Sequence, residues 1–533
     1  MAKVNVSQIK KVRANTKGYS EAGASVIRRA LKSFRAISGT ANEDINWNNF
    51  TMRQRGRMLY MSSPVATSII NTSRTKIVGA GLSLKSVIDR DVLGLSPDAA
   101  KAWQKKTEAE FKLWASKKES CDATGINNFG GMQQLALMSW LMSGDVFAVI
   151  KRRDPKPYNP YTLRLHLIEA DRVSTPNDLG STALSFRLTD GENKDNNNKI
   201  YDGVEVDGDG MVVAYHICSG YPGQLTIDAK EPKWTRVEAH GELTGLPNIL
   251  HVMSSERPEQ YRGVTHLSKI IEPLLQLRRY TESQIMAALV QSFFSAWITT
   301  GTNPAEVPLN EVGASDIMGI PSENPEGIST HKNELEMGPA TINHLEQGED
   351  IKFGNPTIPV AGFDQFTKTF CRLLGAAVGI PHDVLMKDFN ASYSASRAAL
   401  LEAYAEFKMY RSWFVDGFCQ PTYEIWLAEA VATGRVIAPG YFNDPLIRAA
   451  WSKAIWIGPI QGQIDPVKEV KAATMSVDRG YKTHEQVTRE LGGGDWEDNV
   501  AQLKYENEML SDAGGGNYLA TLENDTQNSN EGD

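Results

Sequence analysis

The feature that most limits what this chain can fold into is an interrupted pair of long helical stretches around a small proline-rich insert. The first stretch, THLSKIIEPLLQLRRYTESQIMAALVQSFFSAW, runs from Gly263 to about Trp297, and Pro273 is expected to kink it or to begin its main segment. The second, GFDQFTKTFCRLLGAAVGIP (362–381), sets Phe363, Phe366, Phe370, Leu373, Leu374 and Ala377 on one stripe and stops at Pro381. Between them, residues 300–360 show no strong helical period and read as a separate module of loops and short strands. A polar loop (382–394) follows. A long helix from about Ala395 to Ala432 then carries Leu400, Leu401, Tyr404, Phe407, Phe414 and Phe418, with a bend expected at Pro421.

Ahead of these rods the pattern is mixed. Residues 42–81 read as helix, with Pro64 starting a second helix capped by Ser62 or Ser63, and Gly79 and Gly81 ending it before the strand GLSLKSVI. Residues 97–118 form an amphipathic helix on Ala100, Trp103, Phe111 and Trp114. A third helix covers about Met132 to Leu141, and a strand runs from Asp145 to Lys151. Residues 161–255 are β-rich: Leu163, Leu165 and Leu167 alternate, and further strands fit Ala183–Leu188, Val204–Val206, Val212–His216 and Ile249–Met253. Asp207 and Asp209 in VDGDGM have the spacing that opens a calcium loop, but the later ligands and closing Glu are missing, so a hairpin turn is expected. NKDNNNK (193–199) reads as a polar surface turn.

Composition is that of an ordinary globular chain, 41% hydrophobic and 23% charged, long enough for about three or four folding units. No apolar run reaches the ~18 residues of a spanning helix, and MAKVNVSQIKK does not resemble a secretory leader, so no membrane partner is expected. Cys121, Cys218, Cys371 and Cys419 are far apart with no CxxC, which excludes a thiolate zinc site and predicts free buried thiols. The net charge of −8 hides an asymmetry. Residues 1–36 hold nine Lys/Arg against Glu21, while residues 485–533 hold twelve Asp/Glu against Arg489 and Lys504. A basic arm of that kind suits nucleic acid or an acidic surface, or is simply a solvated leader.

Motifs for chemistry are missing. There is no GxxxxGK[ST], no HExxH and no GxSxG, and the GGGD and GGGN runs lack the flanking strand and helix of a dinucleotide site. His484-Glu485 belongs to THEQ, where Thr483 and Gln486 form a capping box. Glu349-Asp350 sits in a Gly-bounded turn. These absences point away from an enzyme, and no cofactor or metal is expected.

The order of pieces resembles the lambda-type family of portal proteins of tailed phages. The resemblance rests on YRGVTHLSKIIEPLLQL (261–277), FDQFTKTFCRLLGAAVGIPHDVL (363–385), FNASYSASRAALLEAYAEF (389–407), AWSKAIWIGPIQGQIDPVKEVKAA (450–473) and GYKTHEQVTRELGGGDWED (480–498). It covers about residues 42–500, and the termini depart most. It implies an α+β portal fold: a basic arm (1–40), a β-containing wing (41–263), a first stem helix (264–297) and a small α/β clip (298–360). A second stem helix (361–381), a tunnel loop (382–394), a long helix returning to the wing (395–479) and a crown-side segment with an acidic tail (480–533) follow. It further implies a ring, usually of twelve copies, at one capsid vertex. Double-stranded DNA would pass through that ring, and the partners would be the terminase large subunit, major capsid and scaffold proteins, and later head completion or neck proteins. The protein would reside in the virion, and in the host cytoplasm during assembly.

Carried onto single residues, the resemblance makes Lys387, Asp388, Phe389, Asn390 and Tyr393 tunnel-loop candidates. An ordinary interhelical turn is the plainer account of the same residues. On the second stem helix Asp364, Lys368 and Arg372 follow i, i+4, i+8 opposite the aromatic stripe, and on the first stand Arg278, Arg279 and Glu282. These charges face either the channel or a neighbouring subunit, or they form solvated ion pairs worth about 0.3–0.5 kcal/mol each. Two other functions remain open at this point: a DNA-processing enzyme sharing helical segments, and a neck or tail adaptor of the virion.

Overall fold

The computed structural model describes residues 29, 31, 38–177, 183–184, 187–222, 232–292, 296–300, 349–353, 362–388, 393–460, 466–492 and 494–512. Most of the basic arm, most of the insert and the end of the acidic tail lie outside the described residues. The chain divides into two compact units, Met1–Ile271 with Gly375–Asp533, and Glu272–Leu374. Helices and antiparallel sheets share the described chain, so the fold is α+β, as expected.

In the first unit, α1 (Ala41–Ser62) opens on a capping box in which the Thr40 hydroxyl accepts from the Glu43 amide and the Glu43 carboxylate accepts from the Thr40 amide. Its buried stripe is partly polar (Ile45, Asn49, Arg53, Gly56, Leu59), so the hydrophobic pattern alone understates it. Ser63 ends α1 and caps α2 (Pro64–Ile77), whose Ala66, Ile69, Ile70 and Ile77 are buried. Then come β1 (Ser83–Ser86), α3 (Pro97–Ala115), α4 (Phe129–Ser143), β2 (Asp145–Arg152) and β3 (Leu163–Glu169). On α3, Thr107 joins Ala100, Phe111 and Trp114 in the buried stripe, whereas Trp103 is only half-buried and donates its indole N–H to the Ile437 carbonyl.

A meander of β4 (Asp190–Glu192), β5 (Lys199–Tyr201), β6 (Val204–Val206), β7 (Val212–Cys218) and β8 (Trp234–Glu238) forms one antiparallel sheet. Strand β9 (Ile249–Met253) pairs with β2, which pairs with β3, in a second. Phe147, Val149, Ile168, Val204, Val206, Tyr215 and Ile249 form the core shared by the two sheets. VDGDGM is a hairpin turn, its Asp207 carboxylate accepting from the amides of Asp209 and Met211. The expected strand Ala183–Leu188 is a pair of two-residue strands, Ala183–Leu184 against Arg187–Leu188.

The turn 193–198 is more than a surface loop. Asn193 is buried, and the amides of Asn193, Asn196 and Asn198 donate to the carboxylate of the fully buried Glu205, which also takes Arg236 and His216. Burial alone would raise the Glu205 pKa, but Arg236 first, and then the asparagines and His216, hold it down at about 2. A carboxylate depressed on folding contributes stability above its unfolded pKa that is lost as pH falls through the folded one. Acidification from the ordinary 4.5 to about 2 should therefore cost roughly 2–3 kcal/mol through this residue. Urea melts of Glu205→Gln across that range should show a correspondingly flatter pH dependence than the parent.

The second unit contains most of α5 (Ile271–Ser292), the antiparallel pair β10 (Ala296–Thr300) and β11 (Glu349–Phe353), and most of α6 (Phe363–Ala377). The first rod is thus shorter than 264–297. A short 3-10 turn at Ser268–Ile270 precedes it, and Pro273 sits in its first turn, where a missing N–H costs nothing. Beyond Ser292 the run AWITT is aromatic and β-branched and pairs as strand instead.

Back in the first unit, the expected loop 382–394 is only partly a loop. Residues His382–Met386 form α7, because Val384 and Leu385 bury their side chains and the Ser68 hydroxyl donates to the Leu385 carbonyl. The long helix is α8 (Tyr393–Phe414), a π-turn at Val415–Cys419, and α9 (Gln420–Ala432). Pro421 cannot donate to Gly417, and the widened turn just before it absorbs the mismatch. Phe111, Phe129, Phe418, Tyr423, Trp426 and Trp456 then meet in one aromatic cluster, with Phe111 and Trp426 edge-on at 5.1 Å. Strand β12 (Ala454–Ile457) pairs with β1, and α10 (Pro466–Asp478), α11 (His484–Leu491) and α12 (Trp496–Asp512) complete the described chain. Thr483 and Gln486 make the expected capping box, and all four cysteines are free and buried. Among the described residues no helix is long and apolar enough to cross a membrane, and no cluster of His, Cys, Asp and Glu is placed to hold a metal ion.

Candidate nucleic-acid and subunit interface

Where the chain approaches α5, charge is buried. Arg262, fully buried, donates Nε to Asp145 Oδ2 at 2.6 Å and Nη1 to Asp202 Oδ2 at 2.8 Å, and reaches the carbonyls of Ala170 and Val173. Arg53 from α1 lies 3.3 Å from Asp202 and 3.5 Å from Asp145, and Arg57 pairs with Glu169 and Asp171. Burial opposes ionisation of Asp145, yet Arg262 and Arg53 hold its pKa well below the usual carboxylate range. Gly144 and Gly263 lie against each other: a Cβ on Gly263 would come 1.8 Å from the Gly144 carbonyl oxygen. The sequence SGD and the sequence YRG are therefore one structural joint, built from residues that singly look like solvated charges and turn glycines.

The second unit carries the stem charges. On α6, Lys368 pairs with Asp364 at 3.0 Å across one helical turn, and on α5 Arg278 pairs with Glu282 at 2.8 Å. Asp364, Arg278 and Glu282 are exposed, as are Arg372 and Arg279, and Lys368 is half-buried. Tyr280 of α5 packs on Phe363 and Phe366 of α6, with ring centroids 5.8 and 4.5 Å apart. The aromatic stripe of α6, however, is only half covered. Cys371 and Leu374 are buried, whereas Phe366 and Leu373 remain 45% and 66% exposed, and on α5 Ile285 and Met286 are each 59% exposed. On α6 the charges and the uncovered apolar residues lie on opposite sides, whereas on α5 Arg278, Glu282, Ile285 and Met286 share one exposed side.

The expected tunnel-loop residues separate. Lys387 ends α7 with φ +57°, a left-handed conformation that costs a lysine about 1–2 kcal/mol. It lines a groove of about 710 Å³ with Ser63, Pro64, Asn71 and Lys76 of the α1–α2 corner. Asp388 follows, its amide bonded to the Asp383 carbonyl at 3.1 Å. Tyr393 is the first residue of α8. Phe389 and Asn390 lie outside the described residues.

Comparison with known proteins gives this arrangement a family. Residues 28–411 match the model for "Phage portal protein, lambda family". Portal protein B of Escherichia phage lambda is 25% identical over 472 residues, covering 85% of this chain and 83% of that one. The portal protein of Escherichia phage N15 is 24% identical over 490 residues, 89% of this chain and 86% of that one. Among solved structures, a chain in the neck of a native gene transfer agent particle aligns over 88% of this chain and 98% of its own at 13% identity, with a TM-score of 0.41, too low to inform this chain's assembly. The chain belongs to the lambda family of phage portal proteins, and is a structural component of a phage particle.

Proposed function

We propose that identical copies of this chain close into a ring, of twelve by family resemblance, at one capsid vertex, and that double-stranded DNA passes along its axis during packaging and ejection. The ring docks the terminase large subunit and afterwards head completion or neck proteins, sits among major capsid and scaffold proteins, and assembles in the host cytoplasm. It catalyses nothing itself, since ATP hydrolysis belongs to the terminase. Residues 41–263 act as the wing, α5 and α6 as the stem helices, 298–360 as the clip, 382–394 as the tunnel loop, and 480–533 as the crown-side end.

The observation that carries this reading is the uncovered apolar face on each rod. A ring is built from a heterologous contact that closes by rotation, so each copy must offer apolar surface to two neighbours while a polar face meets water or DNA. On α6, Phe366 and Leu373 supply the first, opposite Asp364, Lys368 and Arg372, and on α5 Ile285 and Met286 supply it beside Arg278, Arg279 and Glu282. Two of these four cations, Lys368 and Arg278, are paired within their own helix, which suits a conduit. Duplex DNA carries one charge per ~1.7 Å, and a collar of unpaired cations would hold it against sliding. Base edges go unread, because the passage must accept any sequence.

The particle mass in solution tests the ring. A species near twelve times 58.8 kDa is expected, whereas a stable monomer with magnesium-dependent nuclease activity would favour a DNA-processing enzyme. For the loop, Lys387→Ala should form rings of normal mass yet package or retain several-fold less DNA, and Lys387→Arg should restore most of it. Unchanged packaging by Lys387→Ala would remove Lys387 from the channel.

A further inference from the structure

The last three helices add nothing to any core. Among the described residues from Pro466 to Leu510, none is buried. Charge holds them instead. Arg397 pairs with Glu469 at 3.0 Å, and the start of α12 lays three carboxylates on three lysines of the first unit. Asp495 meets Lys85 of β1, Glu497 meets Lys101 of α3 at 2.8 Å, and Asp498 meets Lys105 of α3 at 3.0 Å. Lys101 and Lys105 stand one helical turn apart, about 6 Å along the axis. Lys112 continues the exposed side of α3, with Asp98 one turn before Lys101 and half-buried Glu108, bonded to the Ser86 amide at 2.9 Å and 3.8 Å from Lys85, set among them. Beyond Asp512 the chain adds Glu523, Asp525, Glu531 and Asp533 and no Lys or Arg.

Surface pairs of this kind are individually weak and screened by salt. A duplex offers far denser negative charge and gains from released counterions, so it competes well for the same lysines. We propose that Lys85, Lys101 and Lys105 form a binding surface for the phosphate backbone of duplex DNA, which the acidic start of α12 occupies until DNA displaces it. The carboxylates stand in for phosphates, and the arm can leave because none of its described residues from Pro466 to Leu510 is buried. The choice of DNA as the polyanion rests on the portal reading.

The test uses the full-length chain and a fluorescein-labelled duplex of mixed sequence, followed by anisotropy over a range of salt. The variant Asp495→Asn/Glu497→Gln/Asp498→Asn keeps the side-chain cap of α12, because asparagine caps as well as aspartate. It should bind the duplex about tenfold more tightly at low salt, with a slope of log K against log salt steeper by about 2–3. Adding Lys101→Glu/Lys105→Glu to that variant should abolish the gain, and in the parent chain DNA should speed amide hydrogen exchange in α12. Equal affinities of parent and neutralised variant would overturn the proposal. So would a gain that survives Lys101→Glu/Lys105→Glu, since that chain carries more net negative charge than the parent and would have to bind DNA elsewhere. Particle mass is read on every sample: rings with no change in affinity refute only this surface, while absence of rings strikes the portal reading itself.

Discussion

Replacing Arg262 with methionine is expected to cost the protein about 3–5 kcal/mol. The guanidinium satisfies two buried carboxylates and the backbone carbonyls of Ala170, Val173 and Asp202 at once, and methionine leaves Asp145 and Asp202 charged with Arg53 as the remaining buried guanidinium beside them. The cost comes from uncompensated charge rather than from lost attraction, since burying an ion pair gains little over a well-packed apolar substitute. Chemical denaturation of the parent and variant measures it. Arg278→Met is the control: its pair with Glu282 is exposed and spans one helical turn, so a loss of only about 0.3–0.5 kcal/mol is expected there. A similar small loss for Arg262→Met would show that the joint between SGD and YRG relaxes without it.

The second large effect is on assembly rather than stability. Leu373→Asp and Ile285→Asp each put a charge on an apolar face that a single chain leaves open, so the protomer should fold with a change under about 0.5 kcal/mol. In a ring the same carboxylate would be buried against a neighbour without a partner, at every interface at once. Both variants should therefore run as small species in mass photometry, with circular dichroism and melting unchanged. Rings of parental size from both would place these faces away from the subunit contact.

Much of this was legible in the sequence because the relevant signals are local. Pro64 and Ser63, the THEQ box and the stripe of α6 all depend on spacings within a few residues, whereas β3 forms as expected without alternating: Arg164 and Ile168 are buried and Leu167 is half-buried. The end of α5 is not marked in the sequence, because SQIMAALVQSFFSAW stays apolar across the switch from helix to strand, and periodicity cannot separate the two in so short a run. Likewise 382–386 reads as polar loop, and only tertiary burial of Val384 and Leu385 makes it helical. The Arg53–Asp145–Asp202–Arg262 joint was invisible. Its members lie up to about two hundred residues apart, and nothing in a linear sequence distinguishes a buried aspartate from a solvated one. The pairing of Asp495, Glu497 and Asp498 with lysines near residue 100 is hidden for the same reason.

The most direct test of the central claim is an image of the assembled particle averaged down its symmetry axis. The account predicts a closed ring with an axial opening that admits a double helix, its narrow part bounded by Ile271–Ser292 and Phe363–Ala377 of each copy. A particle without that opening, or one whose paired rods lie on the outer rim, would contradict it.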